Sequence, residues 1–443
     1  MNILSYFSID KGIFGCPFLR QSAIGLVITL VPIDLYATDW QTLTQQVINN
    51  DPRVLSAEAK LKASHADIDG AWGAYYPKIR GIGSAGISDS SDSLTRDGNK
   101  HTIGLEIEQP IPIFGHESAE VDAAEAAAQI EVATLKQIQQ SVAAEFLETI
   151  LRLRNAEKIW QLQQQLSSLL NKQHQALKEA LAGGGIPLPQ LHQAQSRLSQ
   201  ANAKQQQSKS EVQFLHTRLM RLIPDKRNPE LISDAELSQL FKQTPTELGQ
   251  AFELAAKISP ILLKAQAELA QAQAEKDAAS ADYWPKLSLN VQGQTGTFGE
   301  SSATSTSAFF NITQPIFEGG ATVAKADSAG YKLEATRELI RQEQRMLQER
   351  IQDAWMRWNN YQKSVLFWQK AITNEDEAVN LIREQVNNGV GTRISLMEAT
   401  EEWMEIRKEA LEQTLERDIA WLHLFTETGG FFYQPPPSEN PSL

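Results

Sequence analysis

The chain has 443 residues, long enough for one large domain or for two or three ordinary ones. Hydrophobic residues make up 42% of it and charged residues 21%, a balance that excludes a chain disordered throughout. The formal net charge of −13 offers no broad basic face, so a nucleic-acid partner is not expected. The single cysteine, Cys16, excludes disulfide scaffolds and cysteine-based zinc sites.

The first 37 residues predict a secretory signal peptide. Lys11 and Arg20 precede an apolar run over 23–33, and Ala37 offers a small residue for cleavage. The alternative is an N-terminal membrane anchor, but the run is too short for a helix that needs about 20 apolar residues to cross a bilayer. The predicted fold therefore begins at residue 38.

The rest of the chain repeats one pattern. The offset is 208 residues for the pairs Pro52–Pro260, Pro77–Pro285 and Lys78–Lys286. It is 205 residues for the pairs Gln109–Gln314, Gly184–Gly389 and Leu191–Leu396. So long an offset indicates a duplicated unit rather than a solenoid. We predict a first repeat over 38–224, a linker over 225–245, a second repeat over 246–428 and a disordered tail over 429–443.

Each repeat carries the same predicted elements. A first helix, over about 43–75 or 248–283, ends at Tyr76-Pro77-Lys78 or Trp284-Pro285-Lys286. Two strands follow, each near the length of a tilted membrane-spanning strand. They are predicted over about 78–89 and 101–110 in the first repeat, and over 286–297 and 307–315 in the second. The loops between them, 89–100 and 297–307, are expected to face the outside of the cell.

A long helix and a return helix complete each repeat. Residues 117–181 contain no Gly or Pro, and residues 323–388 contain only Gly330, so each stretch could extend about 100 Å. Apolar residues step by three and four along the first of them, which predicts a packed stripe of Leu135, Ile138, Val142, Phe146, Ile150 and Leu153. Glycine turns at 183–187 and 389–392 then reverse the chain.

Four strands per chain are too few to span lipid alone. A membrane sheet must close because open edges leave backbone groups unsatisfied, and about eight strands are the practical minimum. Strands must therefore be pooled between protomers, eight in a dimer or twelve in a trimer. The alternative is a periplasmic coiled-coil adaptor or scaffold that does not enter the membrane. That alternative leaves alternating apolar residues such as Ile103, Leu105 and Ile107 without burial.

The chain resembles the TolC-like outer-membrane efflux and secretion proteins. The resemblance rests on the order of these elements, on the Tyr76-Pro77-Lys78 and Trp284-Pro285-Lys286 segments, on the Gln-Pro-Ile strand ends, and on the glycine turn before Leu396-Met397-Glu398-Ala399-Thr400. The resemblance implies a mainly α protein with membrane β structure. Its duplicated helix–strand–strand–helix–helix unit would form a trimeric 12-stranded outer-membrane β-barrel, continued by a long periplasmic α-helical barrel.

The resemblance also implies a function. The protein would be the outer-membrane exit duct of a tripartite efflux pump or a type I secretion system, located in the bacterial outer membrane with a large periplasmic portion. The implied partners are two further copies in a homotrimer, a periplasmic adaptor (membrane fusion) protein, an inner-membrane pump or ABC transporter, and outer-membrane lipid. An adaptor would be expected to show lipoyl-like or small β-barrel segments. The sequence shows none, so the coiled-coil adaptor alternative is disfavoured.

The two helical tips differ in charge, which suggests a gate. Residues 180–210 contain no acid, whereas the second tip is rich in glutamate, and acids after the second glycine turn line the closed periplasmic entrance in the family. Glu398 matches that pattern, and Ser395 departs from it. By the smaller of the two repeat offsets, Arg197 is level with Glu402, and we predict an ion pair between them; the alternative is that Arg197 faces solvent. The gate candidates are Arg197, Arg393, Glu398, Glu401 and Glu402.

Two further groups of residues are predicted to make contacts. The tip residues expected to dock the adaptor are Gly184, Gly185, Leu191, Gly389, Gly391 and Leu396. The aromatic-proline pairs that start the strands, Tyr76 with Pro77 and Trp284 with Pro285, are expected at the membrane interface, or alternatively in core packing.

No enzymatic chemistry is predicted. The segment Gly81-Ile82-Gly83-Ser84-Ala85-Gly86 matches the dinucleotide fingerprint, but a Ser/Asp-rich loop follows it where a helix would have to hold the pyrophosphate. Glycines that let a barrel strand bend are the better interpretation. No P-loop, GxSxG or HExxH motif occurs, and no cofactor or metal is expected.

Overall fold

A computed structural model describes residues 39–88, 98–224, 247–298 and 301–432, together with positions 235, 237, 238, 241 and 245. The predicted signal peptide over 1–37, most of the predicted linker, and residues beyond 432 lie outside the described residues. Ordered structure continues past residue 428, because Gly430–Phe432 forms a 3-10 turn and Phe431 packs against Phe425 with ring centroids 5.0 Å apart. The predicted disordered tail therefore starts too early.

The chain is mainly helical, with one small antiparallel sheet. The first half contains α1 (Asp39–Asn50), α2 (Pro52–Trp72), β1 (Lys78–Ser88), β2 (Gly98–Ile111), α3 (His116–Ala182) and α4 (Leu188–Leu222). The second half contains α5 (Leu248–Ile258), α6 (Pro260–Ala281), β3 (Lys286–Phe298), β4 (Ser301–Thr313), α7 (Ala321–Asn387) and α8 (Arg393–Glu427). Among the described residues, no helix has the length and apolar character needed to cross a membrane.

The first helix predicted for each half is two helices. The chain breaks at Asp51-Pro52 and again at Ser259-Pro260, where the residue before proline is extended with ψ of 127° and 120°. Proline disfavours the helical conformation of the residue before it and supplies no N–H to continue a helix, but it suits the first helical position. Asp51 caps α2 by accepting a hydrogen bond from the Arg53 N–H at 2.8 Å.

The helices α3 and α7 are the longest elements, with 67 residues each, or about 100 Å. Helix α3 lies against α1, α2, α4, α6 and α8, whereas α7 lies against α5, α6 and α8. The predicted stripe on α3 is buried or nearly so, and Phe146 and Ile150 reach the core shared with Leu43, Leu219 and Trp421. A second core near the tips joins Leu170 and Leu177 to Met397 and Met404.

The sheet has the strand order β1-β2-β3-β4, and every neighbouring pair is antiparallel. The strands extend further into the predicted loops than expected, because β2 starts at Gly98 and β4 at Ser301 rather than near 101 and 307. Pairing of Thr297 with Ser302 and of Phe298 with Ser301 makes the second hairpin tight. Within the described chain, β1 and β4 each have one edge without a strand partner.

Candidate functional site

The two helical tips are built on glycine turns of the same kind. Gly184 and Gly389, which occupy equivalent positions in the two repeats, both have positive φ, at 75° and 78°. The turn after α7 also needs Gly391, because a Cβ there would lie 2.9 Å from the Val386 side chain. Backbone N–H groups of both turns donate to the last carbonyls of the preceding helix, as in Gly185 to Ala180 at 2.8 Å. The glycines therefore fix where the helices reverse.

Helix α8 starts with a capping arrangement. The Thr392 hydroxyl oxygen accepts a hydrogen bond from the Ser395 N–H at 3.1 Å, and the Ser395 hydroxyl donates to the Thr392 carbonyl at 2.7 Å. The first bond satisfies one of the backbone N–H groups that the start of a helix leaves without a partner. Ser395, the position where the family pattern expects an acid, is thus part of the helix cap.

Near the tips, an ion-pair ladder joins α4 to α8. The Arg197 guanidinium contacts Glu398 at 2.6 Å and also binds Glu401. Seven residues further along each helix, Lys204 lies 3.8 Å from Glu405. The ladder connects the first helical hairpin to the second within one protomer, so separating the hairpins requires breaking it.

The predicted pair between Arg197 and Glu402 is wrong. Around α8, Glu401 lies about 60° to one side of Glu398 and Glu402 about 40° to the other, and the Arg197 guanidinium lies on the Glu401 side. Glu402 is exposed and lies near α7. Burial, together with the carboxylates of Glu402 and Asp376, raises the pKa of Glu375 on that helix. The repeat offset placed Glu402 at the right height but did not give the direction of its side chain.

The tip surface differs in part from the predicted docking set. Gly184, Gly185 and Gly389 are exposed, while Gly391 and Leu191 are half-buried. Leu396 is buried, so it stabilises the hairpin and offers no contact surface. Leu188 and Val390 are the exposed large apolar residues at the turns, and the sequence analysis missed both. Arg393 is exposed at the first position of α8.

At the opposite end, the helices meet the sheet through matching contacts in the two halves. The Gln109 side-chain amide donates to the Tyr75 carbonyl at 3.0 Å, and the Gln314 amide donates to the Tyr283 carbonyl at 3.4 Å. Tyr76 and Trp284, each followed by its proline (Pro77 or Pro285), are exposed. The Trp284 ring stacks on Phe114 with centroids 5.7 Å apart.

An ion network that the sequence analysis missed surrounds Asp282 at this junction. Its carboxylate lies 2.5 Å from Lys325 on α7 and 3.1 Å from Lys286 at the start of β3. Burial would raise the pKa of Asp282, but the hydrogen bonds from the two lysines outweigh it and hold the pKa below its usual value. The network is specific to the second half, because the corresponding residue of the first half is Ala74.

The sheet has one apolar and one polar face. The strand register brings Ile107 beside Ile79 and Val291, and Phe310 beside Leu289, so that apolar residues of all four strands share a face. The other face is mostly polar: it carries Asn290, Gln292 and Asn311 together with the charged side chains of β1 and β2, and Phe309 of β4 lies there opposite Asn290. There Arg80 pairs with Glu108 and lies 3.6 Å from Glu106. Such a sheet can separate lipid from water.

Two close approaches between strands depend on glycine, and neither lies in the predicted Gly81–Gly86 segment. A Cβ on Gly104 would lie 2.6 Å from the Gly293 carbonyl oxygen, and one on Gly296 would lie 2.6 Å from that of His101. Both glycines lie between β2 and β3. By contrast, a Cβ on Gly81 or Gly86 would meet nothing within 4 Å.

The long helices, the two glycine-built tips, of which the second is acidic, and the two-faced sheet at the other end agree with the family to which the sequence matches. The family model for the outer membrane efflux protein matches residues 43–223 and 251–430, and the chain belongs to that family. The resemblance to TolC-like proteins is therefore confirmed, as is the predicted outer-membrane location. The family is one of channels and not of enzymes.

Individual relatives agree with this assignment. The chain is 31% identical to the outer membrane protein OprJ of Pseudomonas aeruginosa over 139 residues, which cover 31% of this chain and 28% of that relative. In fold it is similar to CusC, with a TM-score of 0.79 at 16% identity, covering 88% of this chain and 92% of that one. It is also similar to VceC of Vibrio cholerae, with a TM-score of 0.78 at 17% identity, covering 88% of this chain and 96% of that one.

Proposed function

We propose that this protein is the outer-membrane exit duct of a tripartite efflux assembly and that it acts as a homotrimer. Three copies would pool twelve strands into a β-barrel in outer-membrane lipid, and their helices would form one tunnel through the periplasm. A periplasmic adaptor would dock at the tips, and an inner-membrane transporter would supply the substrate. The observation that carries the proposal is the two-faced, four-stranded sheet with two free edges.

The apolar face of the sheet supports membrane insertion. Isoleucine, leucine and phenylalanine side chains on that face are exposed, including Ile79, Ile103, Leu105, Phe310 and Ile312. A water-soluble protein rarely exposes so continuous an apolar surface. The alternative of a periplasmic coiled-coil scaffold leaves this surface in water, and we therefore disfavour it.

The helices support assembly with further copies. Among the described helices, α7 lies against α5, α6 and α8, and the face it leaves open carries exposed apolar residues at intervals along most of its length: Leu339, Met346, Met356, Phe367 and Leu381. On the opposite flank of the protomer, α2 and α4 expose Leu55 and Phe214. Packing one flank against the other in a closed ring would bury both stripes.

The register of the sheet supports the duplicated unit. The larger of the two sequence offsets converts β1 positions into β3 positions, and the smaller one converts β2 positions into β4 positions. Adding these offsets to Lys78 and Glu108 gives Lys286 and Thr313. In the sheet, Lys78 lies opposite Glu108 and Lys286 lies opposite Thr313. The two hairpins therefore pair in the same way, as copies of one unit would.

A labelling experiment with a mass measurement tests the proposal. A cysteine in place of Ser91, in the connection between β1 and β2, should react with a membrane-impermeant maleimide on intact cells. A cysteine in place of Val390, at a tip, should react only after the outer membrane is permeabilised. The detergent-extracted protein should have three times the protomer mass. A monomer in the soluble periplasmic fraction, or equal labelling of both sites, would contradict the proposal.

A further inference from the structure

We propose that β4 of one protomer pairs with β1 of the next in a single register, with Asn311 opposite Ser84, Phe309 opposite Gly86 and Ile312 opposite Gly83. The partner surface is a second copy of this chain. This inference rests on the proposed trimer and goes beyond it, because a trimer alone does not fix which residues meet. It also assigns a role to the segment Gly81–Gly86, which no contact within the protomer explains.

The register follows from the contact between β2 and β3, which joins the two repeats inside one protomer. That contact places the second strand of one repeat beside the first strand of the other, and Glu106 lies opposite Gln292. In a closed ring, β4 and the next β1 stand in the same relation. Shifting Glu106 forward by the smaller repeat offset gives Asn311, and shifting Gln292 back by the larger one gives Ser84.

The faces of the sheet agree with this register. Asn311 and Ser84 both lie on the polar face, and Ile312 and Gly83 both lie on the apolar face. A slip of one residue would place the apolar side chains of one strand beside the polar ones of the other. Slips of two residues keep the faces, so they are the competing registers that an experiment has to separate.

Side-chain size is complementary along the proposed contact. On β4, Phe309, Phe310 and Ile312 are 57%, 70% and 71% exposed, and they meet Gly86, Ala85 and Gly83. On β1 the relation is reversed, because Ile87 is 85% exposed and meets Ala308. The two edges together therefore offer one large and one small residue at each of these four positions. Cross-strand pairs of this kind stabilise a sheet, and an aromatic ring can cover a glycine on the neighbouring strand.

At the contact between protomers, the large and the small residue of a pair change strands relative to the equivalent contact between β2 and β3 inside the protomer. Between β2 and β3, Gly104 lies opposite Gln294, and a Cβ on Gly104 would strike the neighbouring backbone. The corresponding pair between protomers is Phe309 and Gly86, with the large residue on the second strand. Open space around Gly86 on the free edge of β1 leaves room for the Phe309 ring. The exchange explains why β1 is glycine-rich although its own hairpin does not require it.

Disulfide trapping tests the register. Directly opposed residues have Cα atoms about 4.5–5.5 Å apart, within disulfide reach, whereas diagonal neighbours are about 7–8 Å apart and out of reach. The variant Asn311→Cys with Ser84→Cys should convert most of the protein into a covalent trimer on oxidation, reversed by reductant. Asn311→Cys with Ile82→Cys, and Asn311→Cys with Gly86→Cys, test the two slipped registers and should give little cross-linking.

A matched control uses the equivalent positions inside the protomer. Glu106→Cys with Gln292→Cys should form a disulfide without joining chains. If the oxidised species is a covalent dimer ring or the protein is monomeric, the proposed trimer fails. If the protein is a trimer but a slipped pair cross-links best, or no pair does, only the register is overturned.

A size exchange provides a second measurement that needs no disulfide. Gly86→Phe should lower the temperature at which the trimer dissociates in detergent, because two rings would compete for one space. Adding Phe309→Gly should recover most of that loss. Failure of the second substitution to recover stability, with both variants still forming trimers, would overturn the pairing of these residues.

Discussion

The contact of Arg197 with Glu398 and Glu401 should hold the periplasmic end in its resting state. The side chains of Arg197 and Glu401 are 30% and 28% exposed, and that of Glu398 is 54% exposed. Ion pairs this accessible to water contribute about 0.5–1 kcal/mol each, so the two contacts contribute about 1–2 kcal/mol per protomer. If three protomers open together, the total of about 3–6 kcal/mol corresponds to a change of about 10²- to 10⁴-fold in the ratio of open to closed channels.

The substitution Arg197→Glu removes both attractions and adds repulsion between carboxylates. We expect a higher resting conductance in planar bilayers at low ionic strength, and greater entry of large antibiotics into cells. Because salt screens such pairs, wild type and variant should become more alike at about 1 M salt, where the Debye length is about 3 Å.

The matched control is Glu402→Gln, one residue from Glu401 on the same helix. Glu402 lies near α7 rather than α4, so its neutralisation should leave the resting conductance unchanged. Unchanged conductance in Arg197→Glu, or an equal rise in Glu402→Gln, would refute the assignment of the ladder as the restraint.

Three further predictions concern the tips, the junction and the sheet. Gly389→Trp should abolish export with trimers intact, whereas Gly389→Ala, which adds backbone strain of about 1–2 kcal/mol without bulk, should retain export in a drug-efflux assay. Asp282→Asn should cost about 1–2 kcal/mol at neutral pH. The pKa of Asp282 is lower in the folded protein than its usual value of 3.8. The free energy of unfolding of wild type should therefore exceed that of Asp282→Asn at pH values above 3.8, and the difference should disappear as the pH falls through the folded pKa. Gly104→Ala should lower the dissociation temperature of the trimer through a clash with the Gly293 backbone, whereas Gly293→Ala, whose Cβ would lie 3.9 Å from Thr306, should not.

Much of the fold could be predicted from the sequence because its signals are local. The absence of Gly and Pro over 117–181 and the stripe containing Phe146 and Ile150 predicted the long helix α3. Glycines at 184 and 389 predicted the turns, since positive φ favours glycine. Alternation around Leu105 and Leu289 predicted strands with one apolar face. These features depend on residues within a few positions of one another.

The repeat offsets carried information beyond local structure. They predicted equivalent elements, and in the structure they also relate the register of β1 with β2 to that of β3 with β4. The predicted first helices passed through Pro52 and Pro260, although proline is itself a local signal for a break. The start of β4 at Ser301 was not predicted, because it depends on how closely the hairpin pairs.

Only the tertiary structure decided which side chains meet across elements. Arg197 and Glu401 are far apart in the chain, and their contact depends on how α4 and α8 pack and rotate about their axes. The same packing buries Leu396 and brings Lys325 to Asp282. The height of a residue along a helix follows from its place in the sequence, because each residue adds a rise of about 1.5 Å. The direction of its side chain towards a distant partner is set instead by the packing of the whole bundle.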